Sequence, residues 1–110
     1  MNDEGFDVII TIVDKHYSEQ VVQASKEAGA QGGTILHGRG TGAHETKKLL
    51  GIPIEPEKEI VLTVVPQRIS DDVFTAIVRK AELDKPGSGI AFVVDAKKTA
   101  GIYYGQDEEQ

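Results

Sequence analysis

Residues 60–65, with the sequence IVLTVV, are the clearest β-strand signal in the chain. Every position is apolar or β-branched, and Pro66 ends the run because proline has no N–H to donate to a neighbouring strand. Two runs of similar character, at residues 6–13 and 90–95, lie on either side of it in the sequence. Strands with so few polar residues are typical of a sheet that is covered on both faces.

A further strand signal lies at residues 34–37. Amphipathic segments follow the strands predicted at residues 6–13 and 60–65. Each amphipathic segment begins at a serine, Ser18 or Ser70, that is predicted to be the N-cap of a helix. Apolar residues then recur at helical spacing: Val21, Val22, Ala24 and Ala28 in the first segment, and Val73, Ile77 and Ala81 in the second. The resulting order, β-α-β-β-α-β, predicts the α+β class and a ferredoxin-like βαββαβ fold with an antiparallel sheet.

The length and composition of the chain restrict what it can be. Its 110 residues fit a single domain, taken as residues 1–110. The 18 acidic residues outnumber the 12 basic ones, so binding to nucleic acid is not expected. Because the chain has no cysteine, disulfide bonds and thiolate metal sites are not expected either. We see neither a signal peptide nor an apolar run long enough to span a membrane, so the sequence predicts a cytoplasmic protein without direct membrane insertion.

One face of the predicted sheet needs a cover that the two helices do not supply. The first and third strands have too few polar residues for a face that is open to water. The simplest cover is another copy of the same chain. The sequence therefore predicts a homo-oligomer.

Two glycine-rich segments occupy equivalent places in the two halves of the predicted fold, GRGTG at residues 38–42 and PGSG at residues 86–89. Glycine allows the backbone to approach a ligand closely, and the arginine at position 39 is suited to contact an anion. The long connection at about residues 40–58 is expected to be a mobile, functional loop. The acidic tail, at about residues 105–110, is expected to be disordered.

This pair of glycine segments on this topology resembles the PII signalling proteins, which are trimers that bind adenine nucleotides in clefts between subunits. The resemblance extends from Asp7 to Ile102. It implies a homotrimer that binds ADP, AMP or ATP and regulates a protein target, for which we expect a membrane transporter, through the mobile loop. The positions that match the family's binding segments are Gly38, Arg39, Gly40, Thr41, Lys58, Val64, Gly87, Ser88 and Gly89, with the backbone of Val64 matching the adenine contact.

The chain also departs from the nitrogen-sensing members that it resembles. Thr41 and Gly42 stand where those members have an arginine and a glutamine, and the three tyrosines lie outside the loop, so neither 2-oxoglutarate binding nor uridylylation is expected. Ile90, Gly101 and Tyr103 replace three cations that face the phosphates in the family. A nucleoside mono- or diphosphate is therefore expected rather than a triphosphate with magnesium.

Two other functions stay open at this point. A trimeric divalent-cation binding protein of the CutA type would use His37 and His44 as ligands, although their spacing fits no metal motif. A ligand-free interaction module would have the glycines only as turn residues. No set of residues suited to nucleophilic or acid–base catalysis is recognisable, so the chain is not expected to be an enzyme and no catalytic residue is predicted.

Overall fold

The computed structural model describes residues 4–41 and 47–104. Its elements in chain order are β1 (Phe6–Asp14), α1 (Ser18–Glu27), β2 (Thr34–Arg39), β3 (Lys47–Leu49), β4 (Ile52–Ile54), β5 (Glu57–Pro66), α2 (Gln67–Lys80) and β6 (Ile90–Ala96). Four strands form an antiparallel sheet in the order β2-β5-β1-β6, and β3 pairs with β4 in a separate hairpin. The predicted α+β class and the antiparallel sheet with two helices are confirmed.

The core lies between the sheet and the two helices. Along β1 and β5 every second residue faces the helices, as the two-residue period of a strand requires. The buried side chains of this layer include Ile9, Val13, Val61 and Val65 from the sheet and Val21, Val73 and Ile77 from the helices. Burial of one such side chain contributes about 1.5 to 3 kcal/mol. The helix faces predicted from the sequence are thus confirmed.

The intervening residues of the same strands point to the opposite face, which we call the uncovered face. Its apolar residues are Val8, Ile10, Ile12, Leu36, Ile60, Leu62, Val64, Ile90, Phe92 and Val94. The four that lie on the edge strands, Leu36, Ile90, Phe92 and Val94, are between 43% and 57% exposed. A single chain therefore presents a broad, continuous apolar surface to water.

Neither predicted serine caps a helix with its side chain. The second helix begins earlier than expected, at Gln67, and Ser70 lies inside it as a buried residue. This early start follows from Pro66, whose φ of −59° suits the residue before a helix, and from Gly5, whose carbonyl accepts the Gln67 N–H at 2.9 Å. In the first helix Ser18 is the first helical residue rather than the cap.

The group that holds the start of α1 is the carboxylate of Glu59, which lies on β5. Its Oε1 atom accepts hydrogen bonds from the backbone N–H groups of His16, at 2.9 Å, and Ser18, at 3.1 Å. The hydrogen bonds from Ser18 and His16 hold the pKa of Glu59 below its ordinary value and outweigh burial, which alone would raise it. A negative charge at this point also interacts favourably with the positive, N-terminal end of the helix dipole.

The long connection after β2 contains two short strands that the sequence did not predict. Gly38 and Arg39 belong to β2 rather than to a loop, and β5 already begins at Glu57. The connection between these strands is therefore slightly shorter than the predicted one at residues 40–58. Between them β3 and β4 form a hairpin around Leu50 and Gly51, whose φ values of 54° and 81° are those of a type I′ turn. The predictions for residues 42–46, which include His44, and for the tail at 105–110 fall outside the described residues. No helix in the described part of the chain is long and apolar enough to cross a membrane.

We expect Glu59→Gln to destabilise the fold at neutral pH by about 1 kcal/mol, because an amide oxygen is a weaker cap than a carboxylate. Because the pKa of Glu59 is lowered on folding, its stabilisation is complete above the ordinary glutamate pKa and is lost as the pH falls through the folded value. The melting temperatures of the two proteins should therefore converge in acid.

The matched control is Glu57→Gln, which removes an exposed carboxylate on the same strand. Its melting temperature should differ little from that of the unmodified protein across the same pH range. Equal melting temperatures for Glu59→Gln and the unmodified protein at neutral pH would contradict the capping role.

Candidate functional site

Both glycine segments lie at the same end of the sheet. In register, Gly38 on β2 is opposite Lys58 on β5, and Lys58 is opposite Asp14 on β1. Gly87–Gly89 directly precede β6, which starts beside the last residues of β1. We call this the glycine end, defined by Gly38, Arg39, Lys58 and 87–89.

Three predicted ligand residues, Gly38, Arg39 and Lys58, line one open depression of about 540 Å³. Lys58 is already engaged there, since its Nζ atom is 2.6 Å from Oδ1 of Asp14. Lys15 lines the same depression and forms an ion pair with Glu57 at 2.7 Å, which raises the pKa of Lys15. The guanidinium-bearing Arg39 is exposed and so accessible to an anion from solvent.

The second glycine segment lines a different cavity. Gly87 and Ser88 border a space of about 230 Å³ together with Asp14. Gly89 has a φ of 135°, and a Cβ at this position would lie 2.5 Å from the carbonyl oxygen of Ile12. Close packing against β1 therefore requires a glycine at position 89 whether or not a ligand binds.

The two glycine segments lie on different parts of the sheet. Gly38 is on the edge strand β2, whereas Gly89 directly precedes β6 and packs against Ile12 of β1. Asp14 lies between them, since it pairs with Lys58 and borders the cavity of Gly87 and Ser88.

Gly40 and Thr41 are the other described residues of the first glycine segment. The Gly40 N–H donates to the carbonyl of Pro56 at 3.2 Å, and Thr41 is exposed. The binding roles of all nine predicted site residues stay predictions. For the alternative metal site, no group of three or more histidine, cysteine or acidic residues suited to a metal ion occurs among the described residues.

Val64 lies far from the glycine end. It follows Lys58 by six residues along β5, which corresponds to about 20 Å at about 3.3 Å per residue. The pairing of β2 with β5 extends only as far as Leu62, so the β2 side of the strand is not covered by β2 at Val64. This part of the sheet edge is therefore accessible to another group.

A tyrosine hydroxyl occupies that edge. The Oη atom of Tyr104 donates to the carbonyl of Val64 at 2.7 Å and accepts from the backbone N–H of Gln31 at 3.1 Å. We call this the Val64 end, defined by Gln31, Val64 and Tyr104. Sequence reasoning singled out Val64 but missed Gln31 and Tyr104, because contacts between residues so far apart in the chain leave no local pattern.

Solved structures similar to this chain include PII of Arabidopsis thaliana bound to citrate, with a TM-score of 0.69 and 21% identity over 96% of this chain and 90% of that one. A Bacillus cereus protein related to NIF3 matches with a TM-score of 0.67 and 18% identity over 89% of this chain. This chain spans only 27% of the length of the Bacillus protein. At such identities these matches establish the fold alone.

Sequence comparison is decisive for the family. None of the curated proteins matches the chain. The family model described as nitrogen regulatory protein P-II matches it over residues 6–106. Because that match covers nearly the whole chain, the chain belongs to the PII family of nitrogen regulatory proteins.

Proposed function

We propose that this protein is a PII-type signal transducer that binds an adenine nucleotide between the subunits of a homotrimer and thereby regulates a protein partner in the cytoplasm. Membership of the PII family supports a regulatory role. The observation that carries the proposal is the separation of the predicted ligand residues into the glycine end and the Val64 end.

That separation favours a binding site shared by two chains. The backbones of Lys58 and Val64 are about 20 Å apart along β5. In the proposed site, one subunit supplies the Val64 end, for the base, and its neighbour supplies the glycine end, for the phosphates. Each chain carries both ends, so a closed ring of identical subunits completes every site.

The uncovered face supports the assembly. Exposure of its apolar residues to water is unfavourable, and the two helices already pack on the other face. Packing three such faces against one another would remove this surface from water and bring the edges of neighbouring sheets together. The assembly and the intersubunit site thus depend on the same surface.

The Val64 end suits an adenine base. The carbonyl of Val64 is an acceptor and the N–H of Gln31 is a donor, and one hydroxyl group reaches both. Adenine presents an amino group that donates beside a ring nitrogen that accepts. Guanine has a carbonyl in place of that amino group and would set an acceptor against the Val64 carbonyl.

The glycine end suits a small number of phosphates. Among the described residues, Arg39, Lys58 and Lys15 place cations at its depression, but Lys58 is paired with Asp14 and Lys15 with Glu57. A charge-assisted contact contributes about 1.5 to 3 kcal/mol when it is made out of water. AMP or ADP is therefore the expected ligand, in preference to ATP with magnesium.

The β3–β4 hairpin is the segment proposed to contact the partner. At its tip Leu50 is 94% exposed and Ile52 is 66% exposed, although both are apolar. The hairpin is joined to the site through Arg39 on one side and Glu57 and Lys58 on the other. A ligand at the glycine end can therefore shift the hairpin between arrangements that a partner, for which we propose a membrane transporter, does or does not bind.

Calorimetric titration with AMP, ADP and ATP, with and without magnesium, tests the ligand. We expect binding of AMP or ADP that Arg39→Ala weakens about 10-fold to 100-fold, as the loss of one charge-assisted contact implies. Arg79→Ala is the control, because Arg79 is exposed on α2 and outside the predicted site. The absence of heat with all three nucleotides, from a folded assembly, would refute nucleotide binding.

Light scattering after gel filtration tests the assembly. The unmodified protein should have the mass of three chains of 11.9 kDa, and Phe92→Glu on the uncovered face should reduce this to one chain. Val93→Glu is a closely matched control, because Val93 is the next residue of β6, is equally exposed at 43%, and points to the helix face. A trimer that survives Phe92→Glu would contradict the proposed interface.

A further inference from the structure

Tyr104 makes three contacts at the Val64 end, and together they match what a purine base would make there. Its hydroxyl donates to the Val64 carbonyl and accepts from the Gln31 N–H. Its ring lies against Phe6, with centroids 6.1 Å apart and planes tilted by 48°. One side chain therefore supplies a donor, an acceptor and a flat apolar surface.

The ring contact with Phe6 favours the position of Tyr104 at the Val64 end when no nucleotide is bound. Phe6 is only 3% exposed, and it would lose an aromatic neighbour if Tyr104 moved away. Another planar ring in the same place would restore that contact. A base that displaces Tyr104 would therefore replace the ring contact as well as the hydrogen bonds, whereas water could replace only the hydrogen bonds.

The segment that carries Tyr104 is suited to moving. Residues 97–104 contain neither helix nor strand. Within them Gly101 has a φ of 82°, and a Cβ at that position would meet nothing within 4 Å. A change of backbone angle at Gly101 would therefore move Tyr104 without disturbing a packed neighbour.

We propose that Tyr104 is a built-in surrogate of the nucleotide base, which occupies the Val64 end in the empty protein and is displaced when an adenine nucleotide binds. This inference rests on the proposed function. It makes the segment at 97–104 a second element, besides the β3–β4 hairpin, whose position reports the nucleotide state. The measured affinity for nucleotide is then the difference between base binding and tyrosine binding.

Removal of the tyrosine hydroxyl tests the competition directly. Tyr104→Phe keeps the ring on Phe6 but loses both hydrogen bonds, so calorimetry should show ADP affinity raised about threefold to tenfold. Tyr103→Phe is the matched control, since Tyr103 is adjacent and 62% exposed, and it should leave the affinity unchanged. A Tyr104→Phe affinity equal to or below that of the unmodified protein would overturn the inference.

Fluorescence gives a second measurement that does not depend on changing Tyr104. The chain has three tyrosines and no tryptophan, so a Tyr17→Phe, Tyr103→Phe double variant emits from Tyr104 alone. Quenching of this emission by acrylamide should increase when ADP is added, because the ring leaves Phe6 for solvent. If calorimetry shows ADP binding while quenching stays the same, the surrogate role is wrong and the proposed function stands. If no nucleotide binds, both are wrong.

Discussion

The uncovered face of the sheet is the constraint on which the rest of the structure depends. A four-stranded antiparallel sheet has two faces, and α1 and α2 pack on one of them. The strands nevertheless carry apolar residues on both faces, as residues 60–65 already indicate. The helices of the same chain do not cover the second face, and we propose that further copies of the chain bury it.

The proposed assembly also accounts for where the two glycine segments and Val64 lie within one subunit. Antiparallel pairing puts the ends of β1 and β2 beside the starts of β5 and β6, and so gathers both glycine segments at one end. Val64 is carried to the other end by the length of β5. In the proposed assembly, the Val64 end of one subunit lies beside the glycine end of its neighbour. The proposed regulation follows, because a ligand bound across a subunit boundary contacts the root of a hairpin on one side and the segment at 97–104 on the other.

Much of the fold could be predicted because its signals are local. The strands are apolar and β-branched, and Val73 and Ile77 fall at helical spacing. The group that caps α1 could not be predicted, because the carboxylate of Glu59 lies 41 residues from Ser18. The hairpin was missed because its strands have three residues each, and its turn places Leu50 at a positive φ where asparagine or glycine is usual.

The candidate site divides in the same way. The glycines and Arg39 could be found from the sequence, since glycine-rich segments beside a cation are a recognisable pattern. The ion pair between Lys58 and Asp14 depends on strand register, which the sequence pattern does not fix. The contact of Tyr104 with Val64 spans 40 residues and connects an irregular segment to a strand edge. Such pairings arise from the tertiary fold and have no counterpart in local residue spacing.

The most direct test of the central claim is a titration of the ¹⁵N-labelled protein with ADP, followed by the amide signals of Gln31 and Ser88. These amides lie at opposite ends of one subunit, so a ligand held within a single chain could not contact both. The account predicts that both signals shift along the same binding curve, because each ADP lies between the Val64 end of one subunit and the glycine end of the next. A shift confined to one end, or no shift at either, would contradict it.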